Sequence, residues 1–307
     1  MENLYSLFQE FMDADRILLE EPMKKHTTFR IGGPADYVLQ PASAEEVRKA
    51  VDVCRRHRIP WFIMGNGSNL LVSDQGYRGA VIQLYRNMSQ ADVDGCRIKA
   101  QAGASLAGLS KKAMEASLTG LEFAGGIPGT LGGAVTMNAG AYGGEMKDVL
   151  ESVTALESSG QVISLRADQL EMGYRDSVVK RRQCIVLEAV MRLRPGDKEA
   201  IRESMQDLAQ KRISKQPLEY PSAGSAFKRP KGHFAGKLIM DAGLKGCRVG
   251  DAQVAEKHCG FVINRGHATA ADVAALMKHV QDEVMRQFQV KLEPEVKFLG
   301  DFPDTLL

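Results

Sequence analysis

The sequence has few cysteines and no long apolar run. Its five cysteines in 307 residues lie far apart, and no two of them form a C-x-x-C pair, which excludes a disulfide framework and a zinc knuckle of the usual spacing. No stretch approaches the 18 apolar residues of a membrane span, and Glu10 and Asp13 stand where a secretory signal would be basic and then apolar. We therefore expect a cytoplasmic protein with no membrane partner.

An excess of one charge is also missing. Lysine and arginine number 40 against 38 aspartates and glutamates, so the chain lacks the strong basic field that nucleic-acid binding usually requires. The six histidines form no H-E-x-x-H motif, which disfavours a metal site. Neither a nucleic acid, a metal ion nor an obligatory protein partner is expected.

Glycine, in contrast, is concentrated in one segment. Nine of the 30 glycines fall between Gly120 and Gly144. The interleaved apolar residues, such as Phe123 and Leu131, distinguish this segment from a flexible linker. Two interpretations stay open: tight turns beside a sheet, or backbone amides that bind the oxygen atoms of a phosphate or pyrophosphate.

A second glycine-rich turn, Gly65–Asn69, follows the apolar run Trp61–Met64. It lacks the third glycine of a Rossmann fingerprint and leads into another apolar strand instead of a helix. None of the glycines from Gly125 to Gly133 is followed by the Lys-Ser/Thr pair of a Walker motif. Two such turns could hold one long ligand at two points.

Strands and helices are mixed along the chain, without the regular order of a βαβ series. A capping box at Ser43 predicts a helix to about His57, and Thr269 caps a long helix with one apolar stripe. Further helices are predicted at 105–116 and from 197 to about 211. Predicted strands cover 61–64, 70–72, 80–84, 97–102, 150–156, 161–165 and 184–193. We place a domain boundary near Gly196, where strand-rich sequence gives way to helix and loop.

Seven segments together carry a family resemblance: TTFRIGGPADYVLQP (27–41), GNGSNLLV (65–72), GGIPGTLGGAVTMNAGAYGGE (125–145), GYRDS (173–177), SAGSAFKRP (222–230), AGLKG (242–246) and LEPEVKFLG (292–300). In this order, and over nearly the whole chain, they resemble the UDP-N-acetylenolpyruvoylglucosamine reductase family, in its shorter type II branch. One departure is His258-Cys-Gly-Phe261, where the family usually has His-Ala-Asn-Phe. We expect this departure to touch none of the catalytic positions.

The resemblance implies an α+β fold. A two-lobed FAD-binding module of the vanillyl-alcohol-oxidase type would cover 1–196, with lobes at about 1–78 and 79–196, and a smaller α+β substrate-binding domain would cover 197–307. It also implies NADPH-dependent reduction of UDP-N-acetylglucosamine enolpyruvate to UDP-N-acetylmuramate through FAD, a step of peptidoglycan synthesis. The implied cofactor-binding residues are Gly65, Asn66, Gly67, Ser68, Asn69, Gly125, Gly126, Ile127, Pro128, Gly129, Gly132 and Gly133.

Three positions match the family's catalytic residues. The resemblance implies that Arg175 faces the substrate carboxylate, that Ser225 donates a proton to carbon, and that Glu295 assists as an acid on the other side. Lys215 and Arg229 are implied contacts of the UDP-sugar. Taken singly, Arg175 beside Asp176 is more typical of a surface ion pair, and a serine after Gly224 is typical of a turn.

Other functions use the same residues. Ser225-x-x-Lys228 satisfies the S-x-x-K nucleophile motif of penicillin-binding proteins, and Ser73-Asp74-Gln75 loosely matches their second motif. Ser177-x-x-Lys180 satisfies the first motif as well, and no Lys-Thr-Gly exists. A flavin oxidase that shares the FAD module, and a non-catalytic binding module, are the remaining alternatives.

Overall fold

The computed structural model describes residues 4–303 and is α+β, as predicted. Its helices are α1 Leu4–Gln9, α2 Ala44–Arg56, α3 Leu106–Glu115, α4 Leu131–Met137, α5 Val178–Arg181, α6 Lys198–Lys215, α7 Ala235–Asp241 and α8 Ala270–Phe288. Its strands are β1 Ile17–Pro22, β2 Pro34–Leu39, β3 Trp61–Met64, β4 Leu70–Val72, β5 Tyr77–Gln83, β6 Ala91–Asp94, β7 Arg97–Gln101, β8 Leu118–Thr119, β9 Gly140–Ala141, β10 Gly144–Glu145, β11 Leu150–Leu156, β12 Val162–Arg166, β13 Ile185–Arg192, β14 Arg194–Pro195, β15 Ser222–Ser225, β16 Arg248–Val249, β17 Ala252–Val254, β18 Phe261–Asn264 and β19 Lys297–Leu299.

All the helices and strands predicted from the sequence are present within a few residues of their predicted ends. Ser43 caps α2 by accepting the Glu46 amide hydrogen, and Thr269 forms a capping box with Asp272 at the start of α8. Both caps satisfy amide groups that a helix N-terminus otherwise leaves without a partner. The helix α4 inside the glycine-rich segment was not predicted, because Leu131-Gly-Gly has low helix propensity.

The described chain forms two compact units. The first comprises the described residues up to Leu18, then Val38–Asn66 and Ala80–Arg212. The second comprises Leu19–Tyr37, Gly67–Gly79 and the described residues from Ile213 onward. The domain bounds 1–196 and 197–307 stay a prediction, since these units are defined by packing and each combines separate pieces of chain.

The first unit contains a five-stranded antiparallel sheet with the order β12-β11-β13-β7-β6. Its strand β13 is apolar on most positions and buried, and α4 packs against it. Residues Trp61–Met64 of β3 pair in parallel with Ala80–Gln83 of β5. The glycine-rich α4 is therefore supported by a buried strand.

The second unit contains an antiparallel sheet with the order β15-β18-β17-β16, and α8 packs against its strands β16 and β17. The predicted apolar stripe of α8 is confirmed as core: the buried side chains are Val273, Leu276, Met277, Val280 and Val284. Phe29, Ile31 and Leu71 from early chain segments belong to the same core. Strand β4 pairs in parallel with β19.

No helix among residues 4–303 is long and apolar enough to cross a membrane. All five cysteines are free thiols.

Candidate cofactor and catalytic site

The two glycine-rich turns contact each other within the first unit. The Asn66 side-chain amide donates to the Pro128 carbonyl oxygen at 3.0 Å. A Cβ atom added at Gly65 would lie 2.1 Å from the Thr130 hydroxyl oxygen, which real atoms do not approach so closely without a shift of the chain. Gly65 is therefore required for the two turns to meet.

The second turn is packed closely by the protein itself. A Cβ at Gly132 would lie 3.0 Å from the Ala102 Cβ, and a Cβ at Gly126 would lie 3.1 Å from the Arg212 Cδ. Gly133 differs, because the nearest neighbour of its Cβ would be the Thr130 hydroxyl at 3.8 Å, and Gly133 is exposed. Close packing thus explains Gly126 and Gly132, while the space at Gly133 is open to a ligand.

The carbonyl groups of these turns are bonded back into the protein. The Gly65 oxygen accepts from the Gln83 side chain at 3.3 Å, and the Gly129 oxygen accepts from the Leu106 amide at 3.1 Å. In the second unit, the Gly67 and Asn69 oxygens accept from the Thr28 and Lys297 amides at 3.3 and 3.0 Å. A turn that directs its carbonyl oxygens inward suits an anionic ligand, because exposed carbonyl oxygens would repel it.

Arg212 adds a cation to the second turn that the sequence analysis missed. Its half-buried side chain lies against Gly126. Burial lowers the pKa of the Arg212 guanidinium, and Tyr142 partly opposes this shift by its charge. Ile201, Met205 and Arg212 lie on one face of α6 by helical spacing, and Met205 approaches Gly125. This helical spacing is the sequence signal that could have identified Arg212.

Arg175 lies on a turn that is fixed to the glycine-rich segment. Gly173 and Asp176 exchange backbone hydrogen bonds, and Arg175 has a positive φ of 54°. The side chain of Asn138, the C-cap of α4, donates to the Gly173 oxygen at 3.1 Å. The buried Ser177 hydroxyl donates to the Thr136 oxygen at 2.8 Å. Two side-chain hydrogen bonds therefore place the Arg175 turn beside the end of α4.

The carboxylate of Asp176 has cationic partners of its own: it pairs with Arg181, and Lys180 lies 4.0 Å away. The Arg175 guanidinium lies 5.4 Å from the Tyr174 ring centroid, and the Arg175 oxygen accepts from the Lys180 ammonium at 2.8 Å. The Lys180 bond therefore holds the Arg175 carbonyl, and the Tyr174 ring lies near the Arg175 guanidinium.

Ser225 and Glu295 lie on adjacent segments of the second unit. The Glu295 amide donates to the Ala226 oxygen at 2.9 Å, and the Lys228 amide donates to the Glu293 oxygen at 2.9 Å. Ser225 and Glu295 are both half-buried. The structure therefore brings together two of the three catalytic positions that the resemblance implies.

Asn69 connects the first glycine-rich turn to Glu295. Its side-chain amide donates to the Glu295 oxygen at 3.1 Å, and its own carbonyl accepts from the Lys297 amide. The parallel pairing of β4 with β19 continues this contact. Within the second unit, the end of the first glycine-rich turn and the segment of Glu295 are thus joined by hydrogen bonds.

The two implied substrate contacts are both exposed. Lys215 is the last residue of α6, and the Arg229 guanidinium stacks on the Phe234 ring with 4.0 Å to its centroid. Their assignment to the UDP-sugar stays a prediction.

The expectation that His258–Phe261 touches none of the catalytic positions is wrong. Ser225 pairs with Phe261 across β15 and β18, and the Ala226 amide donates to the Gly260 oxygen at 2.8 Å. Cys259 packs into the core, where burial raises the pKa of its thiol. Gly260 leaves room for the His258 ring, because a Cβ there would lie 2.9 Å from the ring's Cε1. The departure from the family pattern is accommodated by close packing directly beside Ser225.

Two of the residues that match the penicillin-binding motifs, Asp74 and Ser177, bond to the amide groups at the start of helices. Asp74 accepts hydrogen bonds from the Ala270 and Ala271 amides at 2.8 and 3.0 Å, at the start of α8. Ser177 caps α5 by accepting from the Lys180 amide. Helix capping accounts for both positions, so neither residue needs a serine-hydrolase role to explain it.

Comparisons with known proteins give the same picture over the whole chain. Residues 216–299 match the profile described as UDP-N-acetylenolpyruvoylglucosamine reductase, C-terminal domain, and residues 35–166 match an FAD binding domain. Among curated proteins, the UDP-N-acetylenolpyruvoylglucosamine reductase of Agathobacter rectalis is 55% identical, over 93% of this chain and 95% of its own length. The protein of that name from Alkaliphilus metalliredigens is 50% identical over 98% and 99%.

Among solved structures, the chain is similar to the UDP-N-acetylenolpyruvylglucosamine reductase from Thermus caldophilus. The sequence identity is 37% and the TM-score is 0.79, and the match covers 92% of this chain and 100% of the other.

Proposed function

The chain belongs to the UDP-N-acetylenolpyruvoylglucosamine reductase family, and on that premise we propose that it reduces UDP-N-acetylglucosamine enolpyruvate to UDP-N-acetylmuramate with NADPH, through FAD. The resemblance carried by the seven sequence segments is confirmed, as is the α+β fold with an FAD-binding module and a second, substrate-binding domain. The protein is an FAD-dependent oxidoreductase of peptidoglycan synthesis that acts on small-molecule substrates.

The observation that carries the cofactor assignment is the contact between the two glycine-rich turns. Gly65 lies against Thr130, and Asn66 bonds to Pro128. The Gly65, Gly67, Asn69 and Gly129 carbonyl groups accept hydrogen bonds from the protein, and a Cβ at Gly133 would make only an ordinary contact at 3.8 Å. These features fit a diphosphate held by backbone amides and a flat ring system against bare backbone. The proposed FAD contacts are the residues at 65–69 and 125–133 named above, with Arg212 as an additional cation.

FAD held by the residues at 65–69 and 125–133 would supply the redox chemistry, which is transfer of a hydride from NADPH to the β-carbon of the enolpyruvyl ether. The protein has to stabilise the negative charge that then forms on the α-carbon and its carboxylate. A guanidinium is the side chain best suited to a carboxylate, because it binds both oxygens in one plane. We assign this role to Arg175, whose backbone is held by Gly173, Asn138 and Lys180.

Ser225 is assigned the proton transfer to the α-carbon. A hydroxyl is a weak acid, but a carbanion is a strong base, so the position of the donor matters more than its acidity. The hydrogen bonds of Ala226 to Gly260 and to the Glu295 amide fix the backbone next to this hydroxyl. Glu295, on the adjacent segment, is assigned the stabilisation of charge on the other side of the substrate.

Lys215 and Arg229 are assigned to the UDP group of the substrate. Both are cations and both are exposed, and charge-assisted hydrogen bonds from such groups are the usual means of binding a diphosphate. We assign the reaction to the cytoplasm because nucleotide sugars and NADPH are cytoplasmic metabolites. The sharing of an FAD module with flavin oxidases gives no reason to prefer oxidase chemistry here, since the C-terminal profile match is specific to the reductase family.

An anaerobic absorbance titration tests the proposal. We expect the purified protein to bind FAD, to lose absorbance near ~450 nm on addition of NADPH, and to regain it on addition of UDP-N-acetylglucosamine enolpyruvate. A protein reduced by NADPH that is reoxidised by oxygen but not by this substrate would support an oxidase. Failure to bind FAD after reconstitution would contradict the cofactor site itself.

A further inference from the structure

We propose that Thr28 is a positioning residue that fixes the strand of the proton donor Ser225 relative to the first glycine-rich turn. The inference rests on the proposed function and concerns the segment TTFRIGG, to which no role has been given so far. Thr28 touches neither substrate nor cofactor in this proposal; it acts through the backbone of β15.

Thr28 donates two hydrogen bonds, each to a different segment of the chain. Its hydroxyl donates to the Ser222 carbonyl oxygen at 2.7 Å, at the beginning of β15. Its backbone amide donates to the Gly67 carbonyl oxygen at 3.3 Å, in the first glycine-rich turn. A single residue thus links the cofactor turn to the strand that ends in Ser225, and all three residues belong to the second unit.

The segment around Thr28 is itself fixed. The Thr27 hydroxyl donates to the Ile31 oxygen at 3.0 Å, and the Phe29 oxygen accepts from the Asn264 side chain at 3.2 Å. The side chains of Phe29 and Ile31 are buried in the core of the second unit. A bond to a fixed turn transmits position, whereas a bond to a mobile loop would not.

The path of β15 explains why an anchor at Ser222 affects Ser225. The pairing of β15 with β18 shifts register between these two residues, and Gly224 has a positive φ of 76°. Such a bulge bends a strand and redirects the side chain that follows. Thr28 anchors the strand before the bulge, and the bond from Ala226 to Gly260 anchors it after the bulge.

The Glu295 segment is bonded to the same glycine-rich turn by a different residue, Asn69. Asn69 donates to the Glu295 oxygen at 3.1 Å. Both proposed catalytic segments of this unit are therefore bonded to the turn that would hold the cofactor. The Ser225 strand is connected to Gly67 through Thr28, and the Glu295 segment is bonded directly to Asn69. Catalytic groups have to be held within a fraction of an ångström for full rate, and this arrangement supplies that constraint.

The test compares Thr28→Val, which loses the donor, with Thr28→Ser, which keeps it, in anaerobic stopped-flow measurements of both half-reactions. For Thr28→Val we expect reoxidation by UDP-N-acetylglucosamine enolpyruvate to slow about fivefold, the effect of one neutral hydrogen bond. Reduction by NADPH and the Kd for FAD should stay within about twofold. The solvent deuterium isotope effect on reoxidation should rise, because proton transfer becomes more rate-limiting. Thr28→Ser should restore the wild-type ratio of the two rates.

Thr27→Val is the matched control, because it removes a neighbouring hydroxyl of similar hydrogen-bond length that bonds to Ile31 and not to β15. It should lower thermal stability as Thr28→Val does, but slow neither half-reaction selectively. Equal slowing of both half-reactions in Thr28→Val, or the same asymmetry in Thr27→Val, would overturn the positioning role. Failure of the wild-type protein to bleach and recolour would instead contradict the proposed function, so the two failures are distinguishable.

Discussion

The two glycine-rich turns and the segments that carry Ser225 and Glu295 are built in opposite ways. At Gly65 and Gly132 the protein omits side chains, so that separate segments of the chain can approach each other. At Ser225 and Glu295 it retains side chains and fixes the backbone beneath them with hydrogen bonds. The first region is therefore sensitive to added atoms and the second to removed ones. Three substitutions sharpen this contrast, in order of decreasing expected effect.

The largest effect is expected for Ser225→Ala, which removes the hydroxyl oxygen of the proposed proton donor at the end of β15. Reoxidation of the reduced protein by substrate should slow about 10²- to 10⁴-fold, the usual contribution of a positioned proton donor. Reduction by NADPH should change less than about twofold, because that half-reaction needs no proton on carbon. Anaerobic stopped-flow absorbance measures both rates.

Ser222→Ala is the control for this prediction, since it lies on the same strand and contributes its carbonyl oxygen, not its hydroxyl, to the bond with Thr28. It should leave both rates near the wild-type values. If Ser225→Ala slows reduction as much as reoxidation, Ser225 is not the proton donor.

A smaller effect is expected for Gly65→Ala, which adds one carbon atom where the two glycine-rich turns meet. The new Cβ would lie 2.1 Å from the Thr130 hydroxyl oxygen, and overpacking of this kind costs ~1–3 kcal/mol. Separation of the two turns should weaken FAD binding about 10- to 100-fold, as measured by fluorescence titration of the apoprotein.

The double variant Gly65→Ala/Thr130→Ala removes the clashing oxygen and leaves the Thr130 Cβ 3.1 Å away. It should recover part of the lost FAD affinity, which is the coupling expected of residues in contact. Gly173→Ala, whose Cβ would meet no atom closer than 3.9 Å, should bind FAD within about twofold of wild type. No recovery in the double variant would show that Gly65 acts by some means other than its contact with Thr130.

The smallest effect is expected for Gly133→Ala, which tests whether this position of α4 contacts the cofactor or only packs within the protein. Gly133→Ala should raise the free energy of unfolding of the apoprotein by up to ~1 kcal/mol, because alanine favours a helix and the site has room. The same change should weaken FAD binding about fivefold if the cofactor occupies that room. Denaturant unfolding of the apoprotein and FAD titration give the two numbers.

Gly132→Ala is the contrasting variant, since its Cβ would lie 3.0 Å from the Ala102 Cβ and 3.3 Å from the Ala102 oxygen. It should lower the stability of the apoprotein. Unchanged FAD affinity in Gly133→Ala would place the cofactor away from α4.

The sequence predicted the strands and helices of the first unit well, because their apolar runs are long and their caps are explicit, as at Ser43. It missed the short strands β15 to β18, where two to four residues carry too little periodicity. It located the glycine-rich turns but not their contact, since nothing in the local pattern pairs Gly65 with Thr130. Arg212 and Thr28 were missed because their roles depend on partners far away in the chain, and the expectation for His258–Phe261 failed for the same reason.

The second unit is assembled from segments that are far apart in the sequence, and this affects how its core forms during synthesis. Leu71 contributes to its core together with Leu292, and the ribosome makes these residues about 10 to 45 s apart at ~5–20 residues per second. During that interval Phe29, Ile31 and Leu71 have been made without most of their packing partners. The nascent chain therefore exposes apolar side chains through most of its elongation, and the second core can close only when the last strand has been made.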